Sequence, residues 1–279
     1  MANDKIDPPD SLCNWIANSA TGSFRDVLRN RVREATTRGD WRVIRALIWD
    51  GADPVWTRNT QWHKQALQEA LNRDLVHASA IGDGRLISKL IHAGADVNVK
   101  AHYDENMSPL IWAARCDHAA AVRLLLSNGA DVDIAGDFSA SPMGMVEGST
   151  PLIWAASYGN LDVIKVLLAK GANPNAQETV IYDINKPGER QHGNTPLLES
   201  ANRTTMELLL EAKADPNEVG LGGISPLMKA ALAGDLDRCK LLLAWGANPL
   251  LKDFEGHTAA DLAEKAGHPV IAELLRGRR

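Results

Sequence analysis

The amino-acid sequence predicts an all-α repeat fold, a solenoid of about six to seven helix-turn-helix units with β-hairpin loops, two of them extended. The first observation is a phrase, Ser108 to Ala114 (SPLIWAA), that returns as Thr150 to Ala156 (TPLIWAA). The second is a triplet, Gly-Ala-Asp or Gly-Ala-Asn, that follows apolar residues. It begins at Gly51, Gly94, Gly129, Gly171 and Gly246. Self-similarity at a period of about 20–50 residues is typical of solenoid proteins.

The spacing of the triplets gives the length of the repeating unit. The triplets lie 43, 35, 42, 42 and 33 residues apart when the variant at Lys213 is counted. Thr150 precedes Gly171 by 21 residues, and the same offset separates Ser225 from Gly246. Two phrases at a fixed offset indicate one supersecondary unit that is repeated along the chain.

Each unit is expected to begin with a short helix. The Ser or Thr hydroxyl that precedes Pro can cap free backbone N–H groups, and Pro suits the first helical position. Gly159 and Gly234, nine residues after Thr150 and Ser225, are expected to end this first helix. A second helix follows, because Val163–Leu168 places apolar side chains at i, i+1, i+4 and i+5, which makes one buried face.

These residues and motifs resemble those of ankyrin-repeat proteins, whose unit is a β-turn followed by two helices in about 33 residues. The resemblance covers Arg31 to Leu275. It implies a curved stack with a concave face and an edge of projecting hairpin loops, called fingers here. The function that the resemblance implies is protein binding.

The sequence departs from the family pattern in two ways. The family's usual His after Thr-Pro-Leu is replaced by Ile111, Ile153, Leu198 and Met228, so apolar packing is expected to substitute for the hydrogen bond of that His. The unit that begins at Thr195 is three residues shorter than the others, and we expect the loss at the turn between its helices.

The repeats also set the predicted domain organisation. Residues 1–30 are expected to form an N-terminal extension or cap, and residues 31–279 one ankyrin-repeat domain. The expected units lie near 31–57, 58–100, 101–135, 136–177, 178–219, 220–252 and 253–279. An Arg-rich stretch from Ser23 to Arg45 is expected to be the polar outer face of a capping unit, with an acidic partner as the alternative.

Composition limits the classes of partner. The chain has 279 residues and a net charge of -5, and its pI of about 5.9 disfavours broad nucleic-acid binding. Its three cysteines are far apart, which predicts neither a disulfide framework nor a metal site and favours a reducing compartment. We find no apolar run of transmembrane length and no Sec-type signal. We therefore expect a cytoplasmic monomer with no membrane partner, no metal and no cofactor.

Length in excess of 33 residues lies in inserts. Thr60–Asn72 is predicted to be helical and to extend the first helix of the next unit. Gly136–Gly148 is rich in Gly and Ser and carries apolar residues, and Glu178–Asn194 has a β-prone run before Pro187-Gly188 that predicts an extended hairpin. Insertions in repeat proteins map to loops on one face, which is often the binding face.

Candidate protein-binding residues lie in the fingers and in the groove. Apolar side chains in the inserts would lower solubility if they were exposed to solvent, so we expect them to contact a partner. The alternative is that they pack back onto the repeats. The finger candidates are Tyr103, Asp104, Glu105, Phe138, Met143, Met145, Val146, Ile181 and Tyr182. By the resemblance, Arg115 and Tyr158 line the groove, and Arg203 joins them if the short unit keeps its direction; a solvated surface is the alternative.

Trp112 and Trp154 recur at repeat spacing, and we expect them to pack between units rather than to bind. No P-loop, dinucleotide-binding glycine motif, zinc helix or nucleophile elbow is present, so no enzyme is expected. The expected function is non-catalytic binding of a specific protein, as an inhibitor, immunity protein or effector. The alternative is a small-molecule or enzymatic pocket closed by the long loops and lined by Trp154, Tyr158 and Tyr182. Nucleic-acid binding through the N-terminal arginines is a third and less favoured possibility.

Overall fold

The computed structural model describes residues 60–100, 106–139, 145–181 and 190–277, and the side chains of all these except 60–67, 138–139 and 190. The predicted extension at residues 1–30, its Arg-rich continuation and the first predicted unit lie outside these ranges. The chain divides into two compact units, one of residues 1–75 with 85–96 and the other of residues 76–84 with 97–279.

Two helices belong to the first part of the described chain, α1 (Thr60–Ala80) and α2 (Gly84–His92). The helix predicted for Thr60–Asn72 is confirmed, since α1 begins at Thr60. Hydrogen bonds join α1 to the turn after α2. The side-chain oxygen of Asn72 accepts the backbone N–H of Asp96 at 2.8 Å, and Gln68 donates to the Gly94 carbonyl at 2.9 Å.

The second compact unit contains helices in consecutive pairs. They are α3 (Pro109–Arg115) with α4 (Ala119–Ser127), α5 (Pro151–Tyr158) with α6 (Leu161–Ala169), α7 (Pro196–Glu199) with α8 (Arg203–Glu211), α9 (Pro226–Leu232) with α10 (Leu236–Ala244), and α11 (Ala259–Lys265) with α12 (Pro269–Arg276). The first helices α3, α5, α7, α9 and α11 pack in sequence against one another. The second helices α4, α6, α8 and α10 pack likewise in a second layer. A repeated helical fold is therefore observed.

The helix starts predicted from Ser or Thr before Pro are confirmed. The hydroxyls of these capping residues accept the backbone N–H three residues further on, and Thr258, which precedes Ala259, caps its helix in the same way. Gly159 ends α5 in a left-handed conformation with φ of 72°. A Cβ atom at this position would lie 2.9 Å from the Asn202 side-chain nitrogen, so both backbone and space favour glycine.

Apolar side chains take the place of the family's usual His. All four replacements are no more than 3% exposed, and they are Ile111, Ile153, Leu198 and Met228. Burial of such a side chain stabilises the fold by about 1.5–3 kcal/mol. The predicted substitution of apolar packing for hydrogen bonding is thus confirmed.

Helix α7 is short because its unit lacks three residues. It has only four residues and ends at Glu199, which leaves carbonyl groups without partners in the helix. Side chains of the following unit donate hydrogen bonds to carbonyl groups at this end instead. Lys229 donates to the Leu198 carbonyl at 2.6 Å, and Arg238 donates to the Ser200 carbonyl at 3.4 Å. Cations also suit the negative end of a helix.

A ladder of side-chain hydrogen bonds connects the turns that follow the second helices. Four residues after the turn Gly or Lys of each unit, an Asn or Asp side chain accepts a backbone N–H of the next unit, at 2.7–3.0 Å. The acceptors, termed the turn ladder, are Asn98, Asp133, Asn175 and Asn217. Leu250 occupies the corresponding place in the next unit and is 59% exposed.

The two long inserts form one antiparallel sheet. Its strands are β1 (Gly136–Ser139), β2 (Met145–Ser149), β3 (Thr179–Ile181) and β4 (Arg190–His192), paired in that order. Strands β2 and β3 come from different inserts, and their register places Met145 opposite Ile181 and Val146 opposite Val180. The sequence analysis did not predict this pairing between inserts.

Candidate functional site

The candidate site is a cluster of three aromatic rings around an arginine on the first helices of two neighbouring units. Trp112 of α3 and Trp154 of α5 each follow the capping residue by four positions, so packing of α3 on α5 brings both indoles near one arginine. The Cζ atom of Arg115 lies 5.0 Å from the centroid of Trp112 and 4.8 Å from that of Trp154. We call Trp112, Arg115, Trp154 and Tyr158 the Arg115 cluster.

Tyr158 completes the cluster at the end of α5. Its ring lies 6.2 Å from the ring of Trp154, at an interplanar angle of 21°, and 5.9 Å from the Cζ atom of Arg115. A guanidinium within about 6 Å of an aromatic ring is attracted by the ring quadrupole, by about 0.5–1 kcal/mol at exposed sites. The rings therefore hold the arginine in place.

The cluster has both a buried and an exposed part. Tyr158 is 54% exposed, whereas Arg115 and both indoles are half-buried. The indole nitrogen of Trp112 is buried, and no residue in the described part of the chain accepts its hydrogen. The cluster thus combines inter-unit packing, as predicted for the two Trp residues, with a surface that a partner can reach.

Arg203 lies elsewhere, although it was predicted alongside Arg115 and Tyr158. Because α7 is short, the chain has already turned at this point, and Arg203 is the first residue of the second helix α8. Its Nε atom donates to the Glu207 carboxylate one turn later, at 2.8 Å. Hydrogen bonding to Glu207 also raises the pKa of Arg203.

The finger candidates differ in exposure. Met145 is 36% exposed, but Val146 and Ile181 are each only 5% exposed in the sheet, so these two face the interior of this chain. The backbone of Phe138 pairs with that of Val146 in β1 and β2. The remaining finger candidates, Tyr103, Asp104, Glu105, Met143 and Tyr182, lie outside the described residues.

The sequence analysis did not single out several apolar residues that are exposed, among them Phe254 and Leu250. Phe254, in the turn before α11, is 72% exposed, although its backbone N–H donates to the Gly222 carbonyl at 3.0 Å. Leu250 is the second. The signals were present: Phe254 is an aromatic residue between two acids in a turn, and Leu250 interrupts the Asn and Asp series of the turn ladder.

A buried carboxyl group lies where β3 begins. Glu178 is 8% exposed, and its backbone exchanges hydrogen bonds with Gly193 and Asn194. Burial is the main cause that raises the pKa of Glu178, and the nearby Glu199 adds to it, whereas hydrogen bonding with Ser149 and Asn194 and the charge of Lys229 lower it. The net result is a pKa raised from 4.5 to about 7. Lys229 also lies 3.6 Å from the Glu199 carboxylate.

One small depression lies among the residues that the structure describes beside α7. It is shallow and is lined by Leu197, Met206, Lys229 and neighbouring residues, and its free volume is only about 10 Å³, whereas ligand pockets are usually about 300–1,000 Å³. It does not include Trp154 or Tyr158. Among the described residues, no group of three or more His, Cys, Asp or Glu side chains is placed to hold a metal. Nor does any helix there have the length and apolar character needed to cross a membrane.

Curated proteins with ankyrin-like sequences match parts of the chain. A putative palmitoyltransferase, ZDHHC13 of Danio rerio, is 28% identical over 236 residues, which are 75% of this chain and 35% of that protein. A putative ankyrin repeat-containing protein of Treponema pallidum (strain Nichols) is 39% identical over 82 residues, which are 28% of either chain. The matches thus span about a third of these relatives.

A solved structure matches more fully. It is a chain in the complex of the Bd0816 predatory endopeptidase from Bdellovibrio bacteriovorus with the immunity protein Bd3460. The TM-score is 0.60 at 25% identity, covering 74% of this chain and 98% of that chain. The family model described as ankyrin repeats (three copies) matches residues 34–135, 75–178 and 197–278. This match extends over most of the sequence and agrees with the paired helices and their caps, so the chain belongs to the ankyrin-repeat family.

Proposed function

We propose that this chain is a non-catalytic module that binds a specific protein partner. The observation that carries the proposal is the Arg115 cluster, which gathers Trp, Tyr and Arg, the residue types enriched at the energetic centres of protein interfaces. It lies on the first helices, the layer that lines the concave binding surface of repeat proteins. Ankyrin repeats generally mediate protein–protein interactions, which agrees with this assignment.

The fingers are proposed as the second part of the interface. Met145 and Phe254 offer exposed apolar surface in this region, and the predicted contacts of Tyr103, Asp104, Glu105, Phe138, Met143 and Tyr182 are kept in the proposal. For Val146 and Ile181 we propose a supporting role, because their burial in the sheet fixes the strand that presents Met145. Arg203 is proposed as a peripheral contact, since it lies in the other helix layer.

We propose further that binding neutralises the partner, as an inhibitor or immunity protein does, rather than acting as an exported effector. The likeness to a chain in the endopeptidase–immunity protein complex supports this choice. The protein is proposed to act in the cytoplasm as a monomer until it meets its partner. We also propose that residues 31–279 form a single repeat domain of six to seven units with two extended hairpins, and that an N-terminal cap precedes it.

The alternative of a pocket closed by the long loops has less support. The shallow depression of the described residues lies beside α7 rather than beside Tyr158, and the family is typically non-catalytic. We therefore keep protein binding as the proposed function. Binding of a small molecule in place of a protein would contradict it.

Affinity capture with surface variants tests the proposal. Tagged protein is incubated in lysate of the source cells, and retained proteins are identified by mass spectrometry. Tyr158→Ser and Phe254→Ser each alter one proposed surface. Val270→Ser is the matched control, because Val270 is also 65% exposed but lies on the second-layer helix α12.

We expect one protein to be retained by the wild type and by Val270→Ser but reduced with Tyr158→Ser and Phe254→Ser. Far-UV circular dichroism confirms that each variant is folded. Loss with Val270→Ser alone would place the interface on the other layer. A folded wild type that retains no protein, but binds a small molecule with stoichiometry of one, would contradict the proposal.

A further inference from the structure

We propose that the outer edge of β4 receives an extended segment of the protein partner, which adds to the sheet as a further strand through main-chain hydrogen bonds. This inference rests on the proposed protein-binding function and specifies how the partner binds at one place. Strand β4 (Arg190–His192) lies at the end of the sheet, and β3 is its strand neighbour on the inner side.

The register of β3 and β4 determines which backbone groups face outward. The two strands are antiparallel, with Thr179 opposite His192. At the next pair, the Gly193 N–H donates to the Glu178 carbonyl at 2.7 Å. Hydrogen-bonded pairs alternate with non-hydrogen-bonded pairs along an antiparallel ladder. The backbone N–H and C=O groups of His192, and likewise those of Arg190, therefore point away from β3.

The loop of the next unit does not pair with this edge. Its backbone closes on itself, because the Gly220 N–H donates to the Ile224 carbonyl at 3.0 Å. At the base of β4 a side chain spans the gap, since Gln177 donates to the Gly193 carbonyl at 3.3 Å and to the Val219 carbonyl at 2.8 Å. Within the described residues, no backbone hydrogen bond joins this loop to β4.

The edge is both exposed and preformed. The two side chains described in β4, those of Gln191 and His192, are exposed. The Nδ1 atom of His192 lies 3.0 Å from the side-chain oxygen of Gln177, so the residue that bridges the base of the strand also holds its last side chain. Because β4 is already extended, the cost in conformational entropy on pairing falls mainly on the partner segment.

The chemistry of the edge selects its occupant. Unpaired N–H and C=O groups at the edge of a sheet are a template for an added strand. A partner helix cannot use them, because its own backbone groups are paired internally. With three residues, β4 offers too few bonds to hold a second copy of this chain by itself, since each bond replaces one to water. The edge therefore suits one segment of a partner that also contacts other parts of the proposed interface.

NMR titration of the full chain with a synthetic peptide tests the inference. The probe is the acetylated and amidated peptide Lys-Thr-Val-Ile-Thr-Lys, which contains the Thr-Val-Ile sequence of β3 that already pairs with β4. The control peptide carries N-methyl groups on two successive central amides, which blocks main-chain pairing at both of its edges. The readouts are the backbone amides of His192 and Gln191 and, for the variants, the amide signals of the peptide.

Two variants separate main-chain from side-chain recognition. His192→Pro removes the outward N–H without removing a hydrogen bond to β3, and Pro is tolerated on an edge strand where its nitrogen faces solvent. His192→Ala removes the ring but keeps the N–H. Slow exchange of the Gln191 amide in each free variant shows that β4 still pairs with β3.

We expect the peptide to give a saturable shift of the His192 amide and to slow its hydrogen exchange by about tenfold or more, while exchange at Gln191 changes little. The N-methylated peptide should cause no shift. His192→Pro should weaken binding by about fivefold or more, because one main-chain bond is lost, whereas His192→Ala should weaken it by no more than about twofold.

The inference is overturned if the peptide leaves the His192 amide unmoved, if the N-methylated peptide shifts it equally, or if His192→Ala weakens binding as much as His192→Pro does. Faster exchange at Gln191 on binding would also contradict it, since the peptide would then replace β3 instead of adding to β4. If His192→Pro does not keep the Gln191 amide protected, the comparison of the two peptides decides.

Failure of this inference and failure of the proposed function give different results. If the inference alone fails, a protein partner is still captured by the chain while the peptide leaves His192 unmoved. If the proposed function alone fails, the peptide still pairs with β4 although no protein is captured.

Discussion

At the scale of single residues, Glu178 is the most perturbed acid in the described part of the chain. The residue is 8% exposed at the start of β3, and its pKa is raised from 4.5 to about 7, mainly by burial. A carboxyl group whose pKa is higher in the folded state contributes stability that is fully present below about pH 4.5. This stability is lost as the pH rises through about 7.

We predict that the wild-type protein loses stability between pH 5 and pH 8 through this residue, by at most about 3 kcal/mol. The Glu178→Gln variant cannot ionise at this position and should lose less over the same range. Urea unfolding at pH 5, 6, 7 and 8 measures the difference between the two proteins. Glu211→Gln is the control, because Glu211 is exposed at the end of α8.

The prediction concerns the change with pH and not the stability at one pH, since a buried amide has a desolvation cost of its own. If Glu178→Gln and Glu211→Gln follow the wild type in parallel, Glu178 is ionised in the folded protein at all these pH values. No feature of the sequence indicated this carboxyl group, because two of the residues that act on it, Ser149 and Glu199, lie about 20 to 30 residues away in the chain.

At the scale of elements, hydrogen bonds from one unit to the next supplement apolar packing. In the turn ladder, Asn175 accepts the Asp215 N–H at 2.7 Å and donates to the Lys213 carbonyl at 3.2 Å. The side chain of Asn173, two residues earlier, accepts the N–H of Asn175 in its own turn, at 3.0 Å. The two side chains therefore form a matched pair, because that of Asn175 bridges two units whereas that of Asn173 bonds within its own turn.

We predict that Asn175→Ala lowers the free energy of unfolding by about 1 kcal/mol, and that Asn173→Ala lowers it by less. In addition, Asn175→Ala should broaden the urea transition, since a weaker interface uncouples neighbouring repeats. Urea titration followed by circular dichroism gives both quantities. Equal effects of the two variants would show that the bonds across the units add no stability beyond the local turn.

Helix boundaries were the most predictable elements. Ser108 and Thr150 precede Pro, and this local pattern alone is enough to place a capped helix start. The turn ladder also leaves a pattern in the sequence, because Asn98, Asn175 and Asn217 recur four residues after the turn residue. The position of Arg203 was harder to predict, since it depended on how far the loss of three residues shortened α7.

At the scale of the whole molecule, the sheet adds a second kind of connection between units. Helices of neighbouring units pack layer by layer, but β2 and β3 join the inserts of two units through backbone pairing. Pairing between strands that are 30 or so residues apart depends on the stack that brings their bases together. The sequence identified β-prone residues in the fourth insert but contained no local signal for their partner.

We predict that this pairing couples the two units in stability. Val180 is 5% exposed and lies opposite Val146 in β2 and Gln191 in β4. Val180→Ala should lower the free energy of unfolding by about 2 kcal/mol, because buried methyl groups are lost and a small cavity is left. The control is Val270→Ala, which alters the same residue type at 65% exposure and should have little effect.

Hydrogen exchange followed by mass spectrometry distinguishes coupling from a local loss. If the sheet joins the units, Val180→Ala should speed exchange in β2 as well as in β3 and β4, while the backbone of α11 and α12 stays protected. Faster exchange confined to β3 and β4 would mean that the fourth insert opens by itself and that β2 does not depend on it. The sheet would then be a local feature of each insert, and the helix layers alone would transmit stability along the stack.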